Sequence, residues 1–295
     1  MIKLGFPRYV YQSLDSTMDT LNALARAGAP EGTLVVAEEQ QAGRGRAGRS
    51  WQAPRGTALL CSLLLRPPRP PRDLGALPLI AGVAIAEAVE SLVMVQARLK
   101  WPNDVFIGDR KVCGVLIQAR TAGERTEFIN LGIGLNVSSS TDDLPEGATS
   151  LNAASTARDR LLAWDCGSTQ GAPLPGIFVG EELVSSHAQR TTDGVERSRQ
   201  NIARTMSDVE EAVMDRLTWH YERFLSGHGH KSVATWLERA MCLGEAVRIE
   251  QDGTDIIGVF TGVNSQGALL LMTEDGVREI TAGDLTRGPR PAAVD

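Results

Sequence analysis

Gln40-Gln41-Ala42-Gly43-Arg44-Gly45-Arg46-Ala47-Gly48-Arg49-Ser50-Trp51 is the stretch around which the chain is organised. It follows Leu34-Val35-Val36-Ala37, a short apolar run that reads as a buried strand. The segment therefore leaves a sheet as a loop, which is where binding groups tend to sit. Its glycines let the backbone come close to a ligand. Arg44, Arg46 and Arg49 carry planar forks that suit carboxylates and phosphates, and Trp51 offers a flat face for a ring. A flexible basic tail for RNA is the blander reading. Against it, the segment is not repeated and apolar runs flank it on both sides. The net charge of −6 also disfavours a nucleic-acid partner. An anion-binding loop over an active site is the better reading.

Working outward, Tyr9-Val10-Tyr11 reads as a first strand. Ser16 or Thr17 can cap a helix carrying Leu21, Leu24 and Ala25. Downstream, Ala58–Leu65 reads as a buried strand and Leu77–Leu92 as a core helix, with Pro78 in its first turn. That apolar stretch is interrupted by Gly82, Glu87 and Glu90, so it reads as core and not as a membrane span. Asn103-Asp104 marks a turn, and Lys111–Gln118 reads as a hairpin partner with Gly114 inside it. Gly132 and Gly134 stand at alternate positions of the run Phe128–Val137 and clear one face of a strand. Either a flat ligand or a packed helix fits that face.

Residues 153–200 lose periodicity and read as a long insertion. Helices are expected over Ser207–Leu225 and Ser232–Ala240, with His228-Gly229-His230 a solvated loop between them. Short strands at Val247–Ile249, Ile256–Phe260, Ala268–Met272 and Val277–Ile280 are separated by hairpin signals and read as a small barrel. The four cysteines lack metal spacing and no leader pattern is present, so a reduced, cytoplasmic protein is expected.

Asp15-Ser16-Thr17, Gln40–Trp51, Lys100–Asp104, Lys111–Gly114, Gly132–Asn136 and the terminal barrel, in this order, resemble the biotin protein ligase family. The resemblance implies an α/β (α+β) catalytic domain with a mixed sheet, of the class II aminoacyl-tRNA-synthetase kind, over residues 1–241. An SH3-like barrel over 242–288 and a tail at 289–295 would follow. It implies that biotin and ATP give biotinyl-5′-adenylate, and that a lysine of a biotin carboxyl carrier protein then takes the acyl group, with Mg²⁺ on the ATP phosphates.

By the same resemblance Arg44, Arg46, Lys111 and Asp104 are the catalytic set, Asp104 steering the acceptor lysine. Ser16, Thr17, Gln40, Gly43, Arg44, Gly45, Arg46, Lys111, Gly114 and Gly132 would bind biotin. Arg46, Arg49, Trp51, Asn103, Lys111 and Asn136 would bind ATP or the adenylate. Met18 departs from the family, which often has Asn after the Ser-Thr pair. No DNA-binding helix-turn-helix and no membrane partner are expected, and the oligomeric state is left open, a homodimer included. Lipoate transfer and a non-catalytic biotin or nucleotide sensor are the alternatives. The lipoate ligases' glycine run is missing, and the retained Lys111, Arg44 and Arg46 speak against a sensor.

Overall fold

The computed structural model describes residues 3–156, 205–251 and 253–288. Most of the insertion expected over 153–200 therefore lies outside the described residues, apart from a helical start at 151–156. The main sheet has seven strands. These are β1 (Arg8–Tyr11), β2 (Leu34–Ala37), β3 (Ala58–Leu65), β4 (Ala97–Lys100), β5 (Asp104–Ile107), β6 (Arg110–Ala122) and β7 (Arg125–Asn136). Their order across the sheet is β1-β2-β3-β7-β6-β5-β4. Only β1 and β2 run parallel, so the sheet is mixed.

Both faces of this sheet are covered. Helix α1 (Thr17–Arg26) packs Leu21 and Ala25 on Val35, Leu64 and Phe128 of one face. The other face takes α2 (Leu77–Val93), the apolar stretch read as a core helix, with α3 (Met206–Leu225) and α4 (Gly229–Glu238) beyond it. A fully buried Leu or Ile in such a layer contributes about 2 kcal/mol, and β3 is buried along its whole length. Helix α4 begins earlier than expected. Gly227 at φ 84° ends α3, and His228 is already the cap of the next helix, so the His-Gly-His segment is not simply a loop.

A second sheet follows, antiparallel throughout. It comprises β8 (Ala246–Gln251), β9 (Thr254–Val263), β10 (Leu269–Thr273), β11 (Gly276–Ile280) and β12 (Asp284–Arg287), in the order β11-β10-β9-β8-β12. It forms a small SH3-like barrel. Strand β12 has one buried apolar residue, Leu285, which gives no alternation to read, and pairing with β8 is what makes it a strand. The barrel is clasped to the main body. Trp101 Nε1 donates to Gly267 O at 3.0 Å, and a Cβ on Gly75 or Gly267 would overlap backbone of the opposite side. Trp236 meets Phe260 edge-on at 6.4 Å.

Candidate active site

The cleft lies on the α1 face of the sheet, where α1 stops and bare strand is left. Successive residues of β7 on this face are Phe128, Asn130, Gly132, Gly134 and Asn136, because side chains alternate along a strand. Phe128 lies under α1, and Asn130 Nδ2 donates to Met18 O at 2.8 Å and Asn22 Oδ1 at 3.0 Å. Gly132 makes room for Met18: a Cβ there would lie 2.9 Å from its Sδ. Gly134 makes room for Trp51, since a Cβ would overlap the indole. Its cross-strand partner Gly114 does the same from β6, where a Cβ would be 3.0 Å from Trp51 Cζ3. The packed-helix expectation for the glycine face is realised at Gly132, while the other slot holds the chain's own Trp51 ring.

At one end of the cleft the groups are neutral. Ser16 caps α1 by accepting from Met18 N–H at 3.3 Å. Thr17 donates its N–H to Gln40 Oε1 at 2.8 Å, and its hydroxyl reaches the same oxygen at 3.0 Å. Ser62, in the middle of the apolar strand β3, meets the Thr17 hydroxyl at 2.8 Å. With the Gln40 carbonyl engaged by Thr17, its amide NH₂ becomes the donor end.

At the other end the groups are charged. Lys111 Nζ lies 2.7 Å from Asp104 Oδ1 and 5.6 Å from the centroid of Trp51. The Lys–Asp contact is an ion pair by distance that falls short of hydrogen-bond geometry at Asp104 Oδ1. The loop read first in the sequence closes this end. Burial holds the Arg46 guanidinium somewhat below its ordinary pKa. It donates to Asn103 Oδ1 at 3.2 Å and to Gly283 O of the barrel at 3.3 Å. Arg49 pairs with Asp284 at 2.8 Å and Arg44 with Asp19 at 2.6 Å. The loop is scarce in apolar anchors, which argues for mobility without ligand, yet it is pinned by polar contacts from both the main body and the barrel.

The pin at Arg49 is weak because it is exposed. The Arg49–Asp284 side chains are 60% and 33% exposed, so the pair contributes about 0.5 kcal/mol. A charge-assisted bond to a bound anion is worth about 1.5–3 kcal/mol, more than this exposed pair. Asp284→Asn should accordingly speed tryptic cleavage at Arg46 and Arg49 in the ligand-free protein, by about two- to threefold. An unchanged cleavage rate would show that Asp284 does not hold the loop.

The cleft has an empty volume of about 700 Å³ including its open mouth. Ser16, Thr17, Gln40, Arg44, Gly45, Arg46, Arg49, Trp51, Asn103, Asp104, Lys111, Gly114 and Gly132 all line it. Gly43 and Asn136 stand outside the lining. Gly43 lets the Trp51 backbone approach, Trp51 N–H donating to Gly43 O at 2.9 Å. Asn136 is buried and donates to Thr149 O at 3.0 Å. Sequence reasoning passed over Ser62, whose signal is a lone hydroxyl inside an apolar run, and Asp284, which no local pattern marks. Cys61 also lines the cleft, but burial pushes its thiol up, so it is a packing residue and not a nucleophile. His220, which showed no ligand spacing, is buried between Ser232 (2.8 Å) and Glu87 (3.2 Å), where it ties α2, α3 and α4 together.

Residues 10–136 match the biotin/lipoate A/B protein ligase family, and residues 242–285 match the biotin protein ligase C-terminal domain. The two matches occur in one chain and in that order. The chain belongs to the biotin protein ligase family. Relatives match over nearly its whole length. The Bacillus spizizenii bifunctional ligase/repressor BirA is 29% identical, over 95% of this chain and 74% of its own. The Paracoccus denitrificans biotin–[acetyl-CoA-carboxylase] ligase is 29% identical, over 92% of this chain and 98% of its own. The fold is shared with the Aquifex aeolicus biotin protein ligase solved with biotin and ATP, at a TM-score of 0.66 and 24% identity, covering 95% of this chain and 99% of that one. In this ligase fold the cleft sits where the arginine loop, the bare face of the sheet and the barrel meet.

Proposed function

We propose that this ligase activates biotin with ATP as biotinyl-5′-adenylate and transfers the acyl group to a lysine of a biotin carboxyl carrier protein. The observation that carries the reading is one cleft with two unlike ends. Thr17 and Gln40 give a neutral end of donors and acceptors, backed by the buried Ser62 behind Thr17, while Lys111, Arg46, Arg49 and Arg44 bring cations to the other end. A cyclic urea is neutral and wants paired donors and acceptors. A carboxylate meeting a triphosphate wants positive charge.

In the first half-reaction a biotin carboxylate oxygen bonds to the α-phosphorus and pyrophosphate leaves. Two anions must approach, so Lys111 and Arg46 lower the barrier by neutralising both and by holding charge that grows on the phosphoryl oxygens. Arg49 and Asn103 hold the nucleotide, and Trp51, lying on the Gly114–Gly134 pair, gives a flat face for its base. Mg²⁺ enters with ATP as part of the substrate; this suits a site where, among the described residues, no group of three His, Cys, Asp or Glu is placed to hold a metal. In the second half-reaction a lysine amine attacks the acyl carbon and AMP leaves. The free amine pKa is about 10.4, so its proton must go somewhere, and Asp104 is the carboxylate at hand.

The names of two relatives point to acetyl-CoA carboxylase as the acceptor. Among the described residues Cys61, Cys113 and Cys242 are buried free thiols, which suits a reducing cytoplasm. Lipoate is the poorer substrate, since its dithiolane ring would leave the Thr17–Gln40 donors and acceptors unpaired. The test is transfer. With biotin, MgATP and an apo carrier domain, the protein should add one biotinyl group to one lysine, read by intact mass. A carrier left unmodified, or modified by lipoate in preference, contradicts the proposal.

A further inference from the structure

Met18 is the residue at which this chain leaves its family's pattern, and the structure gives it a definite place. It is the second residue of α1, directly after Thr17, and only 3% exposed. Its backbone is fixed twice: its N–H donates to Ser16 Oγ and its carbonyl accepts from the buried Asn130 amide at 2.8 Å. Its thioether lies in the slot left by Gly132, where a Cβ would come within 2.9 Å of Sδ and 3.1 Å of Cγ. Both Met18 and Gly132 line the cleft.

The register of the sheet says which end of the cleft this is. Gly132 pairs with Ser62 on β3, and Ser62 is bonded to Thr17. Gly134 pairs with Gly114, beside Lys111 and under Trp51. The two glycine slots are two residues apart on one strand face, about 7 Å. Met18 therefore belongs with the neutral cluster and not with the cations. A thioether is an adaptable, polarizable filler, here held from below by a strand with no side chain to yield and from behind by an anchored helix turn.

We propose that Met18, seated in the Gly132 slot, is a specificity-determining residue that sets the width of the pocket at the ring end of the acyl substrate, so that ring-enlarged analogues are rejected while the acyl tail is read elsewhere. The proposal rests on the reading of the substrate as biotin. Here the chain presents an apolar wall to the cleft, and discrimination there is by volume. A wall of this kind separates ligands that differ by a methylene-sized group by about ten- to two-hundredfold.

The experiment compares kcat/KM in biotin-dependent ATP–pyrophosphate exchange for biotin, biotin sulfone (enlarged at the ring sulfur) and homobiotin (one methylene longer in the tail). Wild type, Met18→Ala and Met18→Leu are measured side by side. Met18→Ala should raise the sulfone-to-biotin ratio about tenfold and leave the homobiotin-to-biotin ratio unchanged. Met18→Leu, close in volume, should keep both ratios near wild type and serves as the folded control. Ratios that do not move in Met18→Ala, or that move together for ring and tail, overturn the assignment of Met18. Absence of biotin-dependent exchange in the wild type would instead overturn the substrate reading, so the two failures are distinct.

Discussion

Lys111→Ala should lower the rate of adenylate formation about a hundredfold and change biotin affinity far less. One charged contact in a site shielded from water supplies roughly 3 kcal/mol to a transition state in which charge is growing. The same contact to the ground-state carboxylate is weaker, so the loss falls on kcat. The structure adds a second cause. Lys111 is the counter-ion of Asp104 at 2.7 Å, with the two side chains 32% and 21% exposed. Removing the lysine leaves a half-buried carboxylate facing two incoming anions. The double variant Lys111→Ala/Asp104→Asn should therefore recover part of the lost adenylation rate while remaining poor in transfer to the carrier. Single-turnover formation of adenylate and equilibrium biotin binding, measured separately, decide this. Equal losses in affinity and rate would mark Lys111 as a plain binding residue.

Arg46→Gly should turn the ligase into a leaky source of activated biotin. A mixed anhydride released into water is hydrolysed or acylates stray lysines, so the enzyme must hold it until the carrier docks. Arg46 spans the cleft from the Asn103 side chain to Gly283 of the barrel. Burial already disfavours its guanidinium as a charge, and an adenylate phosphate would relieve that. Glycine removes both the charge and the bridge and adds backbone freedom to the loop. Asn103 keeps its bond to Val115 O at 2.6 Å, so the turn beneath stays in place. The variant should still make adenylate, release it faster, and label an unrelated lysine-rich protein several-fold more than wild type does when both have ATP. Normal adenylate formation with wild-type retention and no bystander labelling would sink the idea.

Much of this site is legible in the residues themselves, because its parts are local. The cap at Ser16, the all-apolar strand Ala58–Leu65 and the helix at Leu77 each carry their own signal, and the structure places them within a residue or so of the expected bounds. The glycines at 114, 132 and 134 announce a cleared strand face, yet nothing in the sequence says what fills it. Met18 and Trp51 are distant in the chain, and only the strand register brings each over its glycine. The same holds for the loop. Its arginines are plain to read, but Gly283 and Asp284 lie more than two hundred residues downstream, at the start of a strand with a single inward side chain, so the pinning of the loop is a tertiary fact. Asn136 is the converse case. The motif marks it for the nucleotide, while its amide is committed to Thr149 O and its own position is off the cleft wall.

Central to this function is that a neutral urea and an anionic carboxylate are read at opposite ends of a single cleft and joined to ATP there. Isotope exchange between pyrophosphate and ATP, run with the whole chain, MgATP and either biotin or lipoate, measures that directly. Exchange that requires biotin, is lost in Lys111→Ala and is negligible with lipoate is the expected result. Exchange independent of biotin, or supported equally by lipoate, would contradict it.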